Sequence, residues 1–281
     1  MARRCILRYS MVLVAFGLLA ASAASAQVTR QQVVSGTTQR IQARTYHFEA
    51  AGREMPYEIY VPTSYDSATA MPLIIVLHGL GSTPRQVIRY QGLTDQAEQR
   101  GYIVAAPMGY NERGWYGSRG AGDGGRVGAL LGRGAGEDSP PNLGELSEKD
   151  VMNVLGIVQT EFNIDPKRIY LMGHSMGGAG TWHLGIKHPD LWAALAPVAP
   201  AMFTSPDPLR AITHIPVIVI QGENDNLVPV AGVRRWVERM RELGMTYRYI
   251  EIPGGDHAAI IARSPENMGH IFDFFDQHRR N

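Results

Sequence analysis

The chain has 281 residues, 44% of them hydrophobic and 19% charged, so it can bury a substantial core and is not a disordered chain. Its 27 basic and 26 acidic side chains nearly cancel, which excludes binding to nucleic acid or to an anionic membrane surface by charge alone. The single cysteine, Cys5, excludes an internal disulfide and a cysteine-ligated metal centre, so Ser, His, Asp and Glu must carry any chemistry.

Residues 1–26 have the three zones of a secretory signal peptide. Three arginines lie within residues 3–8, an apolar run follows over 11–21, and an Ala-Ser-Ala cleavage site ends at Ala26. The run has about half of the roughly 20 apolar residues that a membrane span needs, so it predicts cleavage and not a membrane anchor. We expect export to the periplasm or the extracellular space, with residues 27–44 as an N-terminal extension. The paired arginines leave both the general and the twin-arginine export routes open.

Strand-like and helix-like stretches alternate from about residue 45 to the C-terminus, which predicts an α/β fold with a mostly parallel sheet of about eight strands and helices on both faces. The first two strands, over 45–50 and 57–61, are separated by a turn-prone segment and are expected to form an antiparallel edge hairpin. The buried parallel strands are expected over 73–77, 102–106, 169–172, 193–198, 217–220 and 247–252.

Amphipathic helices are predicted over 151–162, over 233–243 and from residue 264 onward. Ser147 and Asp150 have the spacing of a capping signal for the first of these helices, and Gly244 marks the end of the second. Ser264 followed by Pro265 is typical of a helix start. We expect the apolar face of each helix to lie in the core and not to bind a ligand.

A glycine-rich insertion is predicted over 111–147, because the segment shows neither the helical nor the strand period. It follows a central strand, and ligands of open α/β sheets bind at the carboxyl ends of the strands. The insertion is therefore placed to cover a binding site, with Trp115 and Tyr116 as candidate wall residues. A disordered surface loop is the alternative that the pattern leaves open.

Residues 173–177 read Gly-His-Ser-Met-Gly, a pattern that places a serine on a sharp turn between a strand and a helix. The apolar strand over 169–172 runs directly into this motif, and a helical stretch follows it, as such a turn requires. A serine hydroxyl is a weak nucleophile at neutral pH and needs a histidine base that an acid orients. Ser175 is therefore the predicted nucleophile.

On this type of sheet the acid and the histidine follow the serine in that order, each at the carboxyl end of a strand. Asp225 and His257 occupy these two places. Glu223 and Asp256 compete for the acid's role, but Glu223 lies too close to its strand and Asp256 adjoins the histidine that it would have to face. His174 precedes the serine and is expected to line the pocket. The six histidines on edges, helices and connections are expected to be surface or capping residues.

Attack on a carbonyl builds negative charge on its oxygen, which two backbone N–H groups commonly stabilise. Met176, directly after the nucleophile, is the first predicted donor. Leu80, in the His78-Gly79 loop after the third strand, is the second, and His78 and Gly79 are expected to face the substrate. A plain turn at the end of the strand is the alternative interpretation of this loop.

These motifs, in this order, resemble those of α/β-hydrolases over about residues 45–275. Within that superfamily, residues 73–81, 165–170 and 222–229 are similar to secreted polyhydroxybutyrate depolymerase-like and feruloyl-esterase-like proteins, and to the catalytic domain of prolyl-oligopeptidase-type serine hydrolases. The resemblance implies an α/β-hydrolase catalytic domain over 45–281. The mature chain lacks the cysteines of many secreted depolymerases and shows no polymer-binding appendage or propeller domain, which favours a small esterase.

We therefore expect an exported, monomeric serine hydrolase that cleaves small-molecule or oligomeric carboxylic esters through an acyl-enzyme. Ser175 attacks, His257 transfers the proton and Asp225 orients His257. No metal, organic cofactor, nucleic-acid partner or membrane anchor is expected. A serine peptidase or amidase with the same residues is the alternative hypothesis, and a catalytically silent binding protein on the same scaffold is a minor one.

Overall fold

The computed structural model describes residues 36–119, 140–202 and 204–280. The expected signal peptide over 1–26, the extension up to residue 35 and residues 120–139 of the glycine-rich insertion lie outside the described residues. Within the described ranges, no helix combines the length and the apolar character that crossing a bilayer requires.

Eight strands form the sheet at the centre of the fold. They are β1 (Gln42–Phe48), β2 (Arg53–Tyr60), β3 (Met71–Leu77), β4 (Ile103–Pro107), β5 (Ile164–His174), β6 (Ala194–Val198), β7 (Val217–Gly222) and β8 (Tyr247–Ile252). Their order across the sheet is β1-β2-β4-β3-β5-β6-β7-β8. β1 and β2 pair antiparallel at one edge, β2 joins β4 antiparallel, and every other pair is parallel. The predicted mostly parallel sheet and its antiparallel edge hairpin are confirmed.

The helices are α1 (Pro84–Val87), α2 (Leu93–Arg100), α3 (Leu143–Glu161), α4 (Met176–Lys187), α5 (Val230–Glu242), α6 (Ala259–Ala262) and α7 (Pro265–Asp276). Short 3-10 helices lie at Glu49–Ala51, Trp115–Gly117 and Asp207–Ile212. Buried side chains of α3, α4 and α5 pack on one face of the sheet, and those of α1, α2, α6 and α7 pack on the other. Because both faces are covered, every residue of β3, β4, β6 and β7 is buried, as their continuous apolar sequences predict.

Two of the predicted helix boundaries are confirmed. Gly244 has a φ of +64°, a conformation that favours glycine, and it follows Leu243, the residue that caps the C-terminal end of α5. Ser264 caps α7, because its side chain accepts a hydrogen bond of 3.2 Å from the N–H of Asn267.

The predicted capping role of Ser147 and Asp150 is wrong. Helix α3 begins at Leu143, so both residues lie inside it, and its first turn falls in the segment predicted as the end of the insertion. Both side chains are buried and have partners outside the helix: the Ser147 hydroxyl accepts the N–H of Tyr116 at 3.0 Å, and the Asp150 carboxylate accepts the N–H of Gly109 at 2.7 Å. The two residues with the spacing of a cap therefore link α3 to the segment after β4 through hydrogen bonds.

Candidate active site

Ser175 stands alone between the last residue of β5 and the first residue of α4. Its φ of +59° is a strained conformation for a residue with a side chain. The main chain holds it there: the Ser175 N–H donates to the carbonyl of Val198 at 2.9 Å, and the Ser175 carbonyl accepts the N–H groups of Ala179 and Ala201, each at 3.0 Å. The expected nucleophile therefore lies on a sharp turn bonded to the carboxyl end of β6.

The two glycines that flank this turn are required by close backbone contacts. A Cβ atom on Gly173 would lie 2.2 Å from the carbonyl oxygen of Gly177, and one on Gly177 would lie 2.2 Å from the carbonyl oxygen of Leu77. Both distances are far shorter than a carbon–oxygen contact allows. The glycines let the start of α4 pack directly against the end of β3.

Asp225 and His257 form a hydrogen-bonded pair at the carboxyl ends of β7 and β8. The Nδ1–H group of His257 donates to Oδ2 of Asp225 at 2.7 Å. The other carboxylate oxygen accepts the N–H groups of Leu227 at 2.9 Å and Val228 at 2.8 Å. Burial alone would raise the pKa of Asp225, but these hydrogen bonds hold it below its usual value. Because Nδ1 carries the hydrogen, Nε2 of neutral His257 is the free acceptor of the ring.

The competing carboxylates have other partners. Glu223 accepts the N–H of Gly254 at 2.9 Å, and Asp256 accepts the N–H of Ala258 at 2.9 Å. Each therefore stabilises a loop, and Asp225 is the carboxylate that contacts the ring of His257.

His174 connects the main chain of His257 to Tyr90. The Nε2 atom of His174 lies 2.8 Å from the carbonyl oxygen of His257, and Nδ1 lies 2.9 Å from the hydroxyl of Tyr90. A carbonyl only accepts, so Nε2 carries the hydrogen and Nδ1 accepts from the tyrosine. Burial, together with the nearby His257, lowers the pKa of His174 to about 4, which keeps the ring neutral near pH 7.

The loop after β3 approaches the nucleophile closely: a Cβ atom on Gly79 would lie 3.5 Å from Cβ of Ser175. Within the described part of the chain, the backbone N–H groups of Leu80 and Met176 have no hydrogen-bond acceptor. The next N–H group of the loop, that of Gly81, donates to the carbonyl of Glu112 at 3.0 Å. Of these two N–H groups without a partner among the described residues, one belongs to the residue after Ser175 and the other to the residue after Gly79, which approaches Ser175.

His78 and Tyr116 lie behind this loop and not in the pocket wall. His78 is fully buried, with its ring nitrogens 2.8 Å from the carbonyl oxygens of Gly79 and Met108. Tyr116, predicted as a wall residue, is also fully buried, and its hydroxyl lies 3.0 Å from the backbone nitrogen of His78. The structure thus corrects the expectation that these two side chains face the substrate, because both are used to brace the loop.

A pocket of about 460 Å³ contains the expected nucleophile and base. The predicted residues in its wall are Gly79, Leu80, Trp115, His174, Ser175 and His257. Sequence reasoning missed Tyr90 and Arg119, which also line it. It missed Gln221 as well, whose buried side-chain amide donates to Asp225 at 3.2 Å and to the carbonyl of Val228 at 3.0 Å. A polar residue at the end of an apolar strand was the signal for Gln221, whereas Tyr90 and Arg119 had no signal of this kind.

No group of three or more His, Cys, Asp and Glu side chains that could hold a metal ion occurs within 36–119, 140–202 and 204–280. The candidate site places Ser175, His257 and Leu80 in the wall of one pocket, with Asp225 bonded to His257 and with Met176 directly after Ser175.

Known proteins share this architecture. A family model described as "Putative esterase" matches residues 49–259. "Putative esterase NocK" of Nocardia uniformis subsp. tsuyamanensis is 29% identical over 187 residues, which are 65% of this chain and 48% of that protein. The chain spans about half, or less, of the length of this relative and of two other curated relatives that it matches.

Two solved structures extend the comparison. The crystal structure of a thermostable esterase has a TM-score of 0.65 and 25% identity, over 87% of this chain and 64% of that one. A ferulic acid esterase from Anaeromyces mucronatus, solved with ferulic acid, has a TM-score of 0.61 and 18% identity, over 85% of this chain and 90% of that one. The second likeness shows a common α/β-hydrolase fold.

Proposed function

The chain belongs to the esterase family whose model spans residues 49–259, and from this premise we propose that it is a serine hydrolase that cleaves carboxylic esters through an acyl-enzyme. One observation carries the proposal. His257 donates to Asp225 at 2.7 Å, and the same histidine and Ser175 line one pocket beside the free N–H groups of Leu80 and Met176.

In the first half of the reaction, Nε2 of His257 accepts the proton of the Ser175 hydroxyl while Oγ attacks the carbonyl carbon of the ester. The carbonyl oxygen becomes an oxyanion, and the N–H groups of Leu80 and Met176 donate to it. Each such donor typically lowers the barrier by about 3 kcal/mol. Asp225 stabilises the imidazolium that forms. The C–O bond to the alcohol then breaks, and the alcohol leaves with the proton from Nε2.

In the second half, water attacks the acyl group on Ser175 and gives its proton to Nε2 of His257. The same two N–H groups hold the second oxyanion. The bond between Oγ and the acyl carbon breaks, Oγ recovers the proton, and the carboxylic acid is released. The cycle uses one water molecule per ester and leaves the protein unchanged.

Hydrolysis of p-nitrophenyl butyrate by Ser175→Ala tests the proposal. We expect kcat/KM to fall by at least about a thousandfold, because the nucleophile is removed. Ser67→Ala is the matched control: Ser67 is exposed in the loop that leads to the amino end of β3, whereas Ser175 follows the carboxyl end of β5. Full activity of the Ser175 variant would refute the proposal. Matched ester and amide substrates then separate an esterase from an amidase, since a poor amine leaving group depends more on protonation by His257.

The finer substrate class follows from an activity panel. The resemblance of the sequence motifs to depolymerase-like and feruloyl-esterase-like proteins supports a panel that runs from short acyl esters through feruloyl esters to soluble polyester oligomers. The wall residue Trp115 favours aromatic or polyester substrates in this panel.

We also propose that the protein is exported, on the basis of the three-zone pattern over residues 1–26. Cell fractionation of the full chain and of a chain that lacks residues 2–26 tests this. The full chain should be found shortened outside the cytoplasm, and the truncated chain should stay inside. An unshortened full chain in the cytoplasm would contradict export.

A further inference from the structure

Arg119 brings a positive charge into the catalytic pocket. Its guanidinium carbon lies 3.2 Å from the centre of the Trp115 ring, and both side chains line the wall that contains Ser175. This cation–π contact fixes the guanidinium against the indole, so the charge has a defined position in the pocket.

The guanidinium of Arg119 has an unused hydrogen-bonding nitrogen. Its Nη2 atom is buried and has no hydrogen-bond partner among the residues that the structure describes. Burial lowers the pKa of Arg119 to about 10, and no carboxylate among those residues opposes this shift. The group stays charged at neutral pH, yet it lacks the acceptors that a buried cation requires.

Other arginines of the same protein are paired with carboxylates. Arg100 donates to Asp273 and to Asp276, each at 2.7 Å. Arg234 forms an ion pair with Glu251. Arg119 has no such ion pair among the residues that the structure describes, and unlike the exposed Arg235 it lies in the pocket where a substrate would bind.

The rest of the pocket wall does not neutralise this charge. No Asp or Glu is among the described residues that line it, and His174 is neutral near pH 7. The carboxylate of the candidate site, Asp225, is already bonded to His257, Leu227 and Val228. Among the residues that the structure describes, the pocket therefore presents a cation without a counter-charge.

A guanidinium in this state favours an anionic ligand. Its planar set of N–H donors matches the two oxygens of a carboxylate, and such charge-assisted pairs are stronger than hydrogen bonds between neutral groups. A carboxylate on the substrate would accept from Nη2 and would also offset the cost of burying the charge, whereas a neutral ester can accept the hydrogen bond but supplies no opposite charge.

We propose that Arg119 determines the specificity of the pocket and that the site takes esters that carry a second, carboxylate group, such as half-esters of dicarboxylic acids or acyl esters of hydroxybenzoates. The inference rests on the proposed esterase function. Arg119 contacts the remote carboxylate and takes no part in bond breaking, so its effect is on the choice between substrates.

The test compares matched pairs of esters. On the acyl side, monophenyl adipate is compared with phenyl hexanoate, and on the alcohol side 4-acetoxybenzoate is compared with phenyl acetate. The measured quantity is the ratio of kcat/KM for the anionic ester to that for the neutral ester. We expect this ratio to fall at least about tenfold in Arg119→Gln for one of the two pairs, and to fall less in Arg119→Lys, which keeps the charge.

Arg235→Gln is the matched control, because it removes the same charge from the exposed surface of α5 and should leave both ratios unchanged. In the wild-type protein, 1 M NaCl should lower the ratio for the recognised pair, since salt screens an ion pair at a pocket that is open to solvent. This arm does not depend on the folding of any variant.

The outcomes are separable. If the wild-type protein hydrolyses the neutral esters through Ser175, but neither Arg119→Gln nor salt changes either ratio, the inference about Arg119 is overturned and the esterase function stands. If the wild-type protein hydrolyses none of the four esters, both are overturned.

Discussion

Replacing His174 with leucine should destabilise the protein in a way that depends on pH. The substitution keeps a side chain of similar size but removes the link between the carbonyl of His257 and the hydroxyl of Tyr90. Two polar groups then lose their partner, and Tyr90 is itself largely buried. A polar group left unsatisfied in this way costs about 1–3 kcal/mol. Because the two groups lie at a pocket and water can reach them in part, we expect a combined loss of about 3 kcal/mol in the free energy of unfolding at pH 7.5.

The pH dependence follows from the pKa of His174, which burial lowers from 6.5 to about 4. A histidine whose pKa is lower in the folded state contributes stability that is complete above the unfolded pKa. This stability is lost as the pH falls, because the unfolded chain binds the proton more readily. Between pH 7.5 and pH 5 the wild-type protein should lose about 2 kcal/mol through this residue. The leucine variant lacks this contribution, so the difference in the free energy of unfolding between the two proteins should narrow from about 3 kcal/mol at pH 7.5 to about 1 kcal/mol at pH 5.

Urea denaturation of both proteins at pH 7.5 and pH 5 measures the gap. Tyr90→Phe is the control, because it removes one hydrogen bond and leaves the bond from His174 to His257; it should cost about 1 kcal/mol at pH 7.5. A gap between wild type and His174→Leu that does not change with pH would refute the reasoning, since a neutral buried His174 requires it to narrow.

Three further substitutions test the packing and the hydrogen bonds of helices α3 and α4. Gly177→Ala should lower kcat/KM by at least about a hundredfold, because its Cβ would lie 2.2 Å from the carbonyl oxygen of Leu77. Gly156→Ala, on the exposed face of α3, is the control: its Cβ meets nothing within 4 Å, so it should keep the activity and raise stability by about 0.5–1 kcal/mol. Equal effects of the two substitutions on kcat/KM and on the melting temperature would contradict this. Although burial of the Glu148 carboxylate acts to raise its pKa, hydrogen bonds from His183, Lys187 and His188 lower the pKa to about 2. Glu148→Gln should therefore lower the free energy of unfolding by about 1–2 kcal/mol at pH 7. This loss should shrink as the pH falls from about 4.5 towards 2, where the wild-type carboxylate takes up its proton. A loss that urea denaturation shows to be the same at every pH would refute this.

The sheet was predictable because its central strands are apolar at nearly every position, which is what burial on both faces requires. The relation of Asp225 and His257 was predictable from chain order, because the carboxyl ends of parallel strands meet at one edge. That their side chains form a hydrogen bond of 2.7 Å could not be predicted, because a sequence pattern gives no distance between side chains. The predicted roles of Leu80 and Met176 stay proposals that their unbonded N–H groups support.

The errors have a common physical cause. Ser147 and Asp150 have the spacing of a cap, but their partners, the N–H groups of Tyr116 and Gly109, come from a different segment of the chain. Tyr116 was placed in the pocket wall because of its position in the insertion, whereas its side chain turns inward to His78. A sequence pattern gives local spacing, and these assignments depend on contacts between distant segments.

Arg119 was missed for the same reason. In the sequence it is one charged residue in a glycine-rich segment, and only its stacking on Trp115 and its unpaired Nη2 distinguish it from a surface arginine. The substrate selection that we propose for Arg119 therefore depends on a feature that three-dimensional placement alone reveals.

The proposed reaction requires that Ser175 is the group that is acylated. Peptide mapping by mass spectrometry, after reaction of the wild-type protein with a fluorophosphonate, tests this directly. We predict one stoichiometric adduct, located on Ser175, and its loss in His257→Gln. An adduct on a different residue, or full ester hydrolysis by protein whose Ser175 stays unlabelled, would contradict the account.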